Sequence, residues 1–74
     1  MTTPYPPEDR YLVSGLMRGM RLLEKFTHNQ QEWRLSELAR ALELPRSTVF
    51  RLVHTLEKLK YLERHPQRKT FQLG

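Results

Sequence analysis

Two arginines and two hydroxyls crowd into residues 44–53, LPRSTVFRLV: Arg46, Ser47, Thr48 and Arg51. Apolar residues at i, i+3, i+4, i+7 and i+10 (Val49, Leu52, Val53, Leu56, Leu59) mark a helix over about 45–59. Pro45 suits its first position, where a missing N–H costs nothing. A helix N-terminus carries roughly half a positive charge and favours Asp or Glu in its first turn, so arginines here have the wrong sign for helix stability. They have the right sign for a polyanion. Backbone N–H groups at a helix start bind phosphate, the two hydroxyls add donors, and an arginine one turn deeper reaches guanine O6 and N7 with two hydrogen bonds. The competing reading is that Ser47 and Thr48 merely cap the helix and the arginines are solvated.

Positioning such a cluster needs an inner face. With Val49, Leu52, Val53 and Leu56 turned inward, Arg46, Ser47, Phe50, Arg51 and His54 face outward, with Thr48 on the rim. Phe50 is the aromatic on this polar face and has two readings: contact with a thymine methyl, or packing against the hairpin or the first helix. Just upstream, SELARALE places Leu35, Leu38, Ala39 and Leu42 on one face, with Ser36 as the expected N-cap. Two short helices joined by a turn of three or four residues form a helix-turn-helix, whose second helix enters the major groove. The motif requires a small residue in the middle of its first helix, here Ala39. It also requires apolar residues at the crossing, here Leu38, Leu44, Val49 and Leu52. The turn usually holds a left-handed Gly; this chain has Glu43 there, at a cost of about 1 kcal/mol.

The remaining elements support that pair. Residues 14–26 read as a first helix with Leu12, Leu16, Met20, Leu23 and Phe26 on one side, opposite Arg18, Arg21 and Lys25. Val13, Met17 and Leu22 widen the apolar stripe to near half the circumference, which suggests a second interface. WRL, at 33–35, could add a short strand. After Lys60, YLERH and KTFQLG flank a turn at Pro66, Gln67 and Arg68 and read as a β-hairpin. Arg64, His65, Arg68 and Lys69 surround that turn as a basic wing suited to adjacent phosphates or the minor groove. Residues 1–11, with Pro4, Pro6 and Pro7, read as a mobile arm, and residues 12–74 as one domain. The expected fold class is mainly α: a three-helix winged helix-turn-helix with a C-terminal two-stranded β-hairpin wing.

Composition narrows the function. Residues 1–43 balance six Lys or Arg against six Asp or Glu, while residues 44–74 carry seven against two, so the whole formal net charge of +5 lies in the second part. A chain of 74 residues is one small domain without room for a large buried active site. It has no nucleophile–base pair, P-loop or paired carboxylates in an apolar setting, so an enzyme is not expected. With no cysteine, and with His28, His54 and His65 lacking ligand spacing, neither metal nor cofactor is expected. No apolar run is long enough to span a membrane and no signal peptide is recognisable, so the expected location is the cytoplasm. The runner-up function is a winged-helix protein–protein interaction module, since fold alone does not dictate function.

The stretch GLMRGMRLLEKF, then WRLSELARALELPRSTVFRLVHTLEKLKYLER and TFQLG, resembles the N-terminal DNA-binding domain of the IclR family of bacterial transcriptional regulators. The resemblance covers about residues 12–74 and is most specific at 44–64, where the family typically reads Leu-Pro-Lys/Arg-Ser-Thr-Val-x-Arg-Leu-Leu, then Leu-Glu and Gly-Tyr-Leu. Glu43 and Lys60 depart from it, standing where the family usually has Gly. It implies sequence-specific binding of double-stranded DNA at a palindromic operator, by a homodimer or higher oligomer joined partly through the first helix. By motif position, Arg46, Ser47, Thr48 and Arg51 are the implied DNA contacts, with Arg18 and Ser36 toward the backbone; Phe50, Arg68 and Lys69 complete the expected DNA-binding set. Val13, Met17, Met20 and Leu22 are the expected dimer edge. The resemblance further implies a C-terminal domain that binds a small-molecule effector, with this chain a fragment ending just after the wing.

Overall fold

The computed structural model describes residues 10–74. Of the expected arm, only Arg10 and Tyr11 fall within that range, in a turn; residues 1–9 lie outside it. The order is α1 (Ser14–Leu23), α2 (Leu35–Leu42), α3 (Arg46–Lys58), β1 (Leu62–Arg64) and β2 (Phe71–Leu73). This is the mainly helical winged helix-turn-helix that the sequence patterns require.

Helix α1 corrects two expectations. It stops at Leu23, and the chain tightens into i→i−3 bonds, Lys25 N–H to the Leu22 carbonyl and Phe26 N–H to that of Leu23. Its buried side carries Gly19 and Leu22, with Phe26 buried just beyond its end, whereas Leu16 and Met20, on the same apolar side as Phe26 in the sequence reading, are 65% and 47% exposed beside Val13. A stripe covering nearly half the circumference can fill a core from either edge, and packing against α2 and α3 selects one. Leu22, assigned from sequence to the dimer edge, is therefore wholly inside the core and has no surface to offer a second copy.

Helix α2 starts two residues earlier than a Ser36 cap would place it. Arg34 occupies the N-cap position, and the Glu37 carboxylate reaches back to accept its backbone N–H at 2.8 Å, half of a capping box. Ser36 sits half-buried inside the first turn. The helix ends in a Schellman arrangement: Leu44 N–H donates to the Ala39 carbonyl and Glu43 N–H to that of Arg40, with Glu43 left-handed at φ 55°. The same bonds recur after α3, from Tyr61 N–H to the Leu56 carbonyl and Lys60 N–H to that of Glu57, with Lys60 at φ 73°. Turning there removes Leu59 from the inner face of α3, and it is exposed rather than buried.

The hairpin is antiparallel, with Leu62 opposite Leu73 and Arg64 opposite Phe71. WRL contributes a single bridging residue: Trp33 exchanges backbone hydrogen bonds with Phe71 at 3.0 and 2.8 Å, so β2 lies between β1 and Trp33. The Trp33 indole N–H donates to the Lys25 carbonyl, and its ring meets Phe26 edge-on. Leu22, Phe26, Leu38, Ala39, Leu42, Val49, Val53, Leu62 and Phe71 form one core that fixes both helix-turn-helix elements and the root of the wing.

Candidate nucleic-acid interface

Helix α3 divides by face as the sequence periodicity requires. Val49 and Val53 are fully buried, Leu52 and Leu56 pack partly against the core, and Arg46, Ser47, Phe50, Arg51 and His54 are exposed, with Thr48 half-buried at the rim. No acid stands in its first turn and no side chain caps its first N–H groups. Those donors and the two arginines consequently point the same electrostatic sign outward. Among the described residues neither Arg46 nor Arg51 has an acid partner. The Thr55 hydroxyl donates to the Arg51 carbonyl at 2.8 Å.

Phe50 is 49% exposed, with its ring stacked on that of His54 at 6.1 Å between centroids and 20° between planes. It is not packed into the core that joins the wing to α1. Arg18 and Arg21 line a groove with Leu42, Glu43 and Leu44, which sets Arg18 beside the turn that leads into α3. Ser36 stays with the first turn of α2.

The wing is less freely charged than its sequence suggests. Arg68 donates through Nε and an Nη to the two oxygens of Glu32, at 3.0 and 2.6 Å, and Thr70 Oγ1 donates to the same carboxylate at 2.8 Å. Arg64 pairs with Glu57 of α3 at 3.3 Å and lies over the Phe71 ring. Lys69, held in a left-handed conformation at φ 55°, is the wing cation without an ion-pair partner among the described residues. His65 Nδ1 accepts from the backbone N–H groups of Gln67 and Arg68, shaping the tip.

Sequence reasoning missed Glu32. It is a lone acid in a polar connection, and its partners follow 36 and 38 residues later; no local periodicity signals such a contact. The hydrogen bonds from Arg68, and next that from Thr70, hold its carboxyl well below the ordinary value of 4.5, at about 2. A carboxyl depressed in the folded state stabilises the fold fully above its unfolded value and loses that contribution as pH falls through the folded one. Thermal melts between pH 6 and pH 2 should therefore show the parent losing stability below about 4.5 through this carboxylate. Glu32→Gln should start lower at pH 6 and fall less steeply over the same window. Parallel curves for the two proteins would remove Glu32 as the anchor of the wing.

Among the described residues no cluster of acids and histidines is placed to hold a metal ion, and no helix is long and apolar enough to cross a membrane. Residues 15–66 match the IclR helix-turn-helix domain. No match is found among curated proteins. Among solved structures, an IclR family transcriptional regulator from Brucella abortus is 39% identical with a TM-score of 0.85, over 89% of this chain and 25% of that one. An IclR-family regulator from Rhodococcus sp. is 29% identical with a TM-score of 0.79, over 99% of this chain and 28% of that one. An IclR homologue from Microbacterium hydrocarbonoxydans, complexed with 4-hydroxybenzoate, is 32% identical with a TM-score of 0.75, over 81% and 25% respectively. The chain thus spans about a quarter of the length of these structures. With most of its residues inside the domain match and its fold shared from α1 through the wing, the chain belongs to the IclR family of transcriptional regulators and carries the helix-turn-helix domain of that family.

Proposed function

We propose that this chain is the operator-recognition domain of an IclR-type bacterial transcriptional regulator and binds double-stranded DNA sequence-specifically. The observation that carries the reading is the exposed face of α3, where Arg46, Ser47 and Arg51 stand without acid partners among the described residues while Val49 and Val53 lock the opposite face into the core. In this reading residues 45–59 lie in the major groove. The α3 N–H groups, Arg46, Ser47 and Thr48 hold phosphate, and Arg51 reads a base edge. Residues 64–69 lie along the neighbouring backbone or minor groove, with Lys69 supplying the free charge and Arg68 held back by Glu32. Arg18 and Ser36 approach the backbone on the far side of the turn. Protein-interaction modules of this fold usually lack such a basic face, which favours DNA over that alternative.

Two copies bind a palindromic operator in the cytoplasm, paired through the exposed edge of α1 at Val13, Leu16 and Met20, with Met17 alongside. A small-molecule effector acts through a C-terminal domain of the full-length regulator. Selection of bound duplexes from a random pool tests function and symmetry together. The expected outcome is an inverted repeat whose affinity falls steeply with salt, with a logarithmic slope of about −0.9 for each phosphate neutralised. No enrichment, or salt-independent binding, would refute DNA recognition; enrichment of single half-sites would refute the paired mode.

A further inference from the structure

Phe50 poses a physical problem that phosphate binding does not solve. Positions 46, 50 and 54 form one i, i+4, i+8 ridge on the outer face of α3, so a half-exposed phenyl ring sits directly between Arg46 and His54, next to Arg51. The ring contributes nothing to the core, and it stacks on the near-parallel His54 imidazole with 6.1 Å between centroids. Stacking on an α-helical neighbour favours one ring orientation on the ridge. Arg46 and Arg51 beside the ring give this face the charge that suits a polyanion. On the edges of base pairs in the major groove of DNA, the apolar group on offer is the C5-methyl of thymine.

We propose that Phe50, oriented by His54, reads the 5-methyl group of a pyrimidine in the major groove, making it a specificity determinant for thymine at one position in each half-site. Since 5-methylcytosine carries its methyl at the same place, the pair also gives the domain a means of sensing cytosine methylation at that position. This inference rests on the DNA-binding reading above and assigns the partner of one residue within it. Phe50 is the contact; His54 is a positioning residue, acting through the stack.

Single replacements of thymine by deoxyuridine in a selected duplex remove one methyl and leave every hydrogen-bonding group in place. At one symmetric position the replacement should weaken binding about fourfold, the equivalent of one buried methyl group. Phe50→Ala should bind the thymine and deoxyuridine duplexes equally, and as well as the parent binds the deoxyuridine one. His54→Ala should reduce the thymine-to-deoxyuridine ratio. Because both side chains are exposed, circular dichroism of the two variants should match the parent. Replacing cytosine by 5-methylcytosine in a duplex that has cytosine at this position should restore part of the lost affinity for the parent and none for Phe50→Ala. A parent that binds its selected duplex but is indifferent to every thymine replacement overturns the inference and leaves DNA recognition intact. A Phe50→Ala variant that keeps the fourfold ratio does the same. A parent that binds no duplex overturns both.

Discussion

Arg51→Ala should weaken binding to the selected duplex by about 1–3 kcal/mol, roughly 5- to 150-fold, and leave binding to a scrambled duplex nearly unchanged. The expectation is selective because of where Arg51 stands. It lies one turn beyond the N–H groups proposed to meet phosphate, on a face whose depth is set by the buried Val49 and Val53. Among the described residues its guanidinium has no ion pair to break, so the change removes little from the folded state. A contact to guanine O6 and N7 carries sequence information, whereas a phosphate contact carries none. Lys69→Ala provides the contrast, weakening all duplexes alike and lowering the salt slope by about one. Fluorescence anisotropy on the two duplexes separates these cases. Equal losses on both for Arg51→Ala would reassign it to the backbone.

What could be read from sequence follows the range of the interaction. The division of α3 into inner and outer faces was legible because it depends on residues three and four apart, and Val49, Val53, Arg46 and Arg51 all stand where that period puts them. The left-handed turn at Glu43 was legible from the motif, although the residue is unfavourable for it. The edge of α1 that would be buried was not legible, because Leu16, Met20, Leu22 and Phe26 are similar in hydropathy and the choice is made by helices arriving later in the chain. The wing's charge was misjudged for the same reason. Arg68 counts as a free cation in any local reading, and only the fold brings Glu32 within 2.6 Å of it. For Phe50 the sequence leaves two readings, contact with a thymine methyl or packing against the hairpin or the first helix, and its exposure places it outside the core cluster.

The assignment of α1 faces has a large consequence for stability. Leu22→Ala should cost about 2–5 kcal/mol, the range for emptying a buried leucine site, whereas Met20→Ala, two residues earlier, should stay within roughly 0.5 kcal/mol in the monomer. A domain of this size holds only about 3–5 kcal/mol in its single core. Leu22→Ala is thus expected to be largely unfolded under conditions where the parent is folded. Urea titration followed by far-UV circular dichroism and by the fluorescence of Trp33, the single tryptophan, measures both changes. DNA binding should fall with the folded fraction in Leu22→Ala, because Leu22 belongs to the same core cluster as Val49 and Val53, which set the height of the arginine ridge. In Met20→Ala the loss should instead concern pairing of two copies, visible as weaker binding to the inverted repeat at unchanged stability. Comparable destabilisation by the two substitutions would mean that α1 packs on both edges. The exposed stripe of Val13, Leu16 and Met20 would then belong to the fold of one chain and not to the meeting of two.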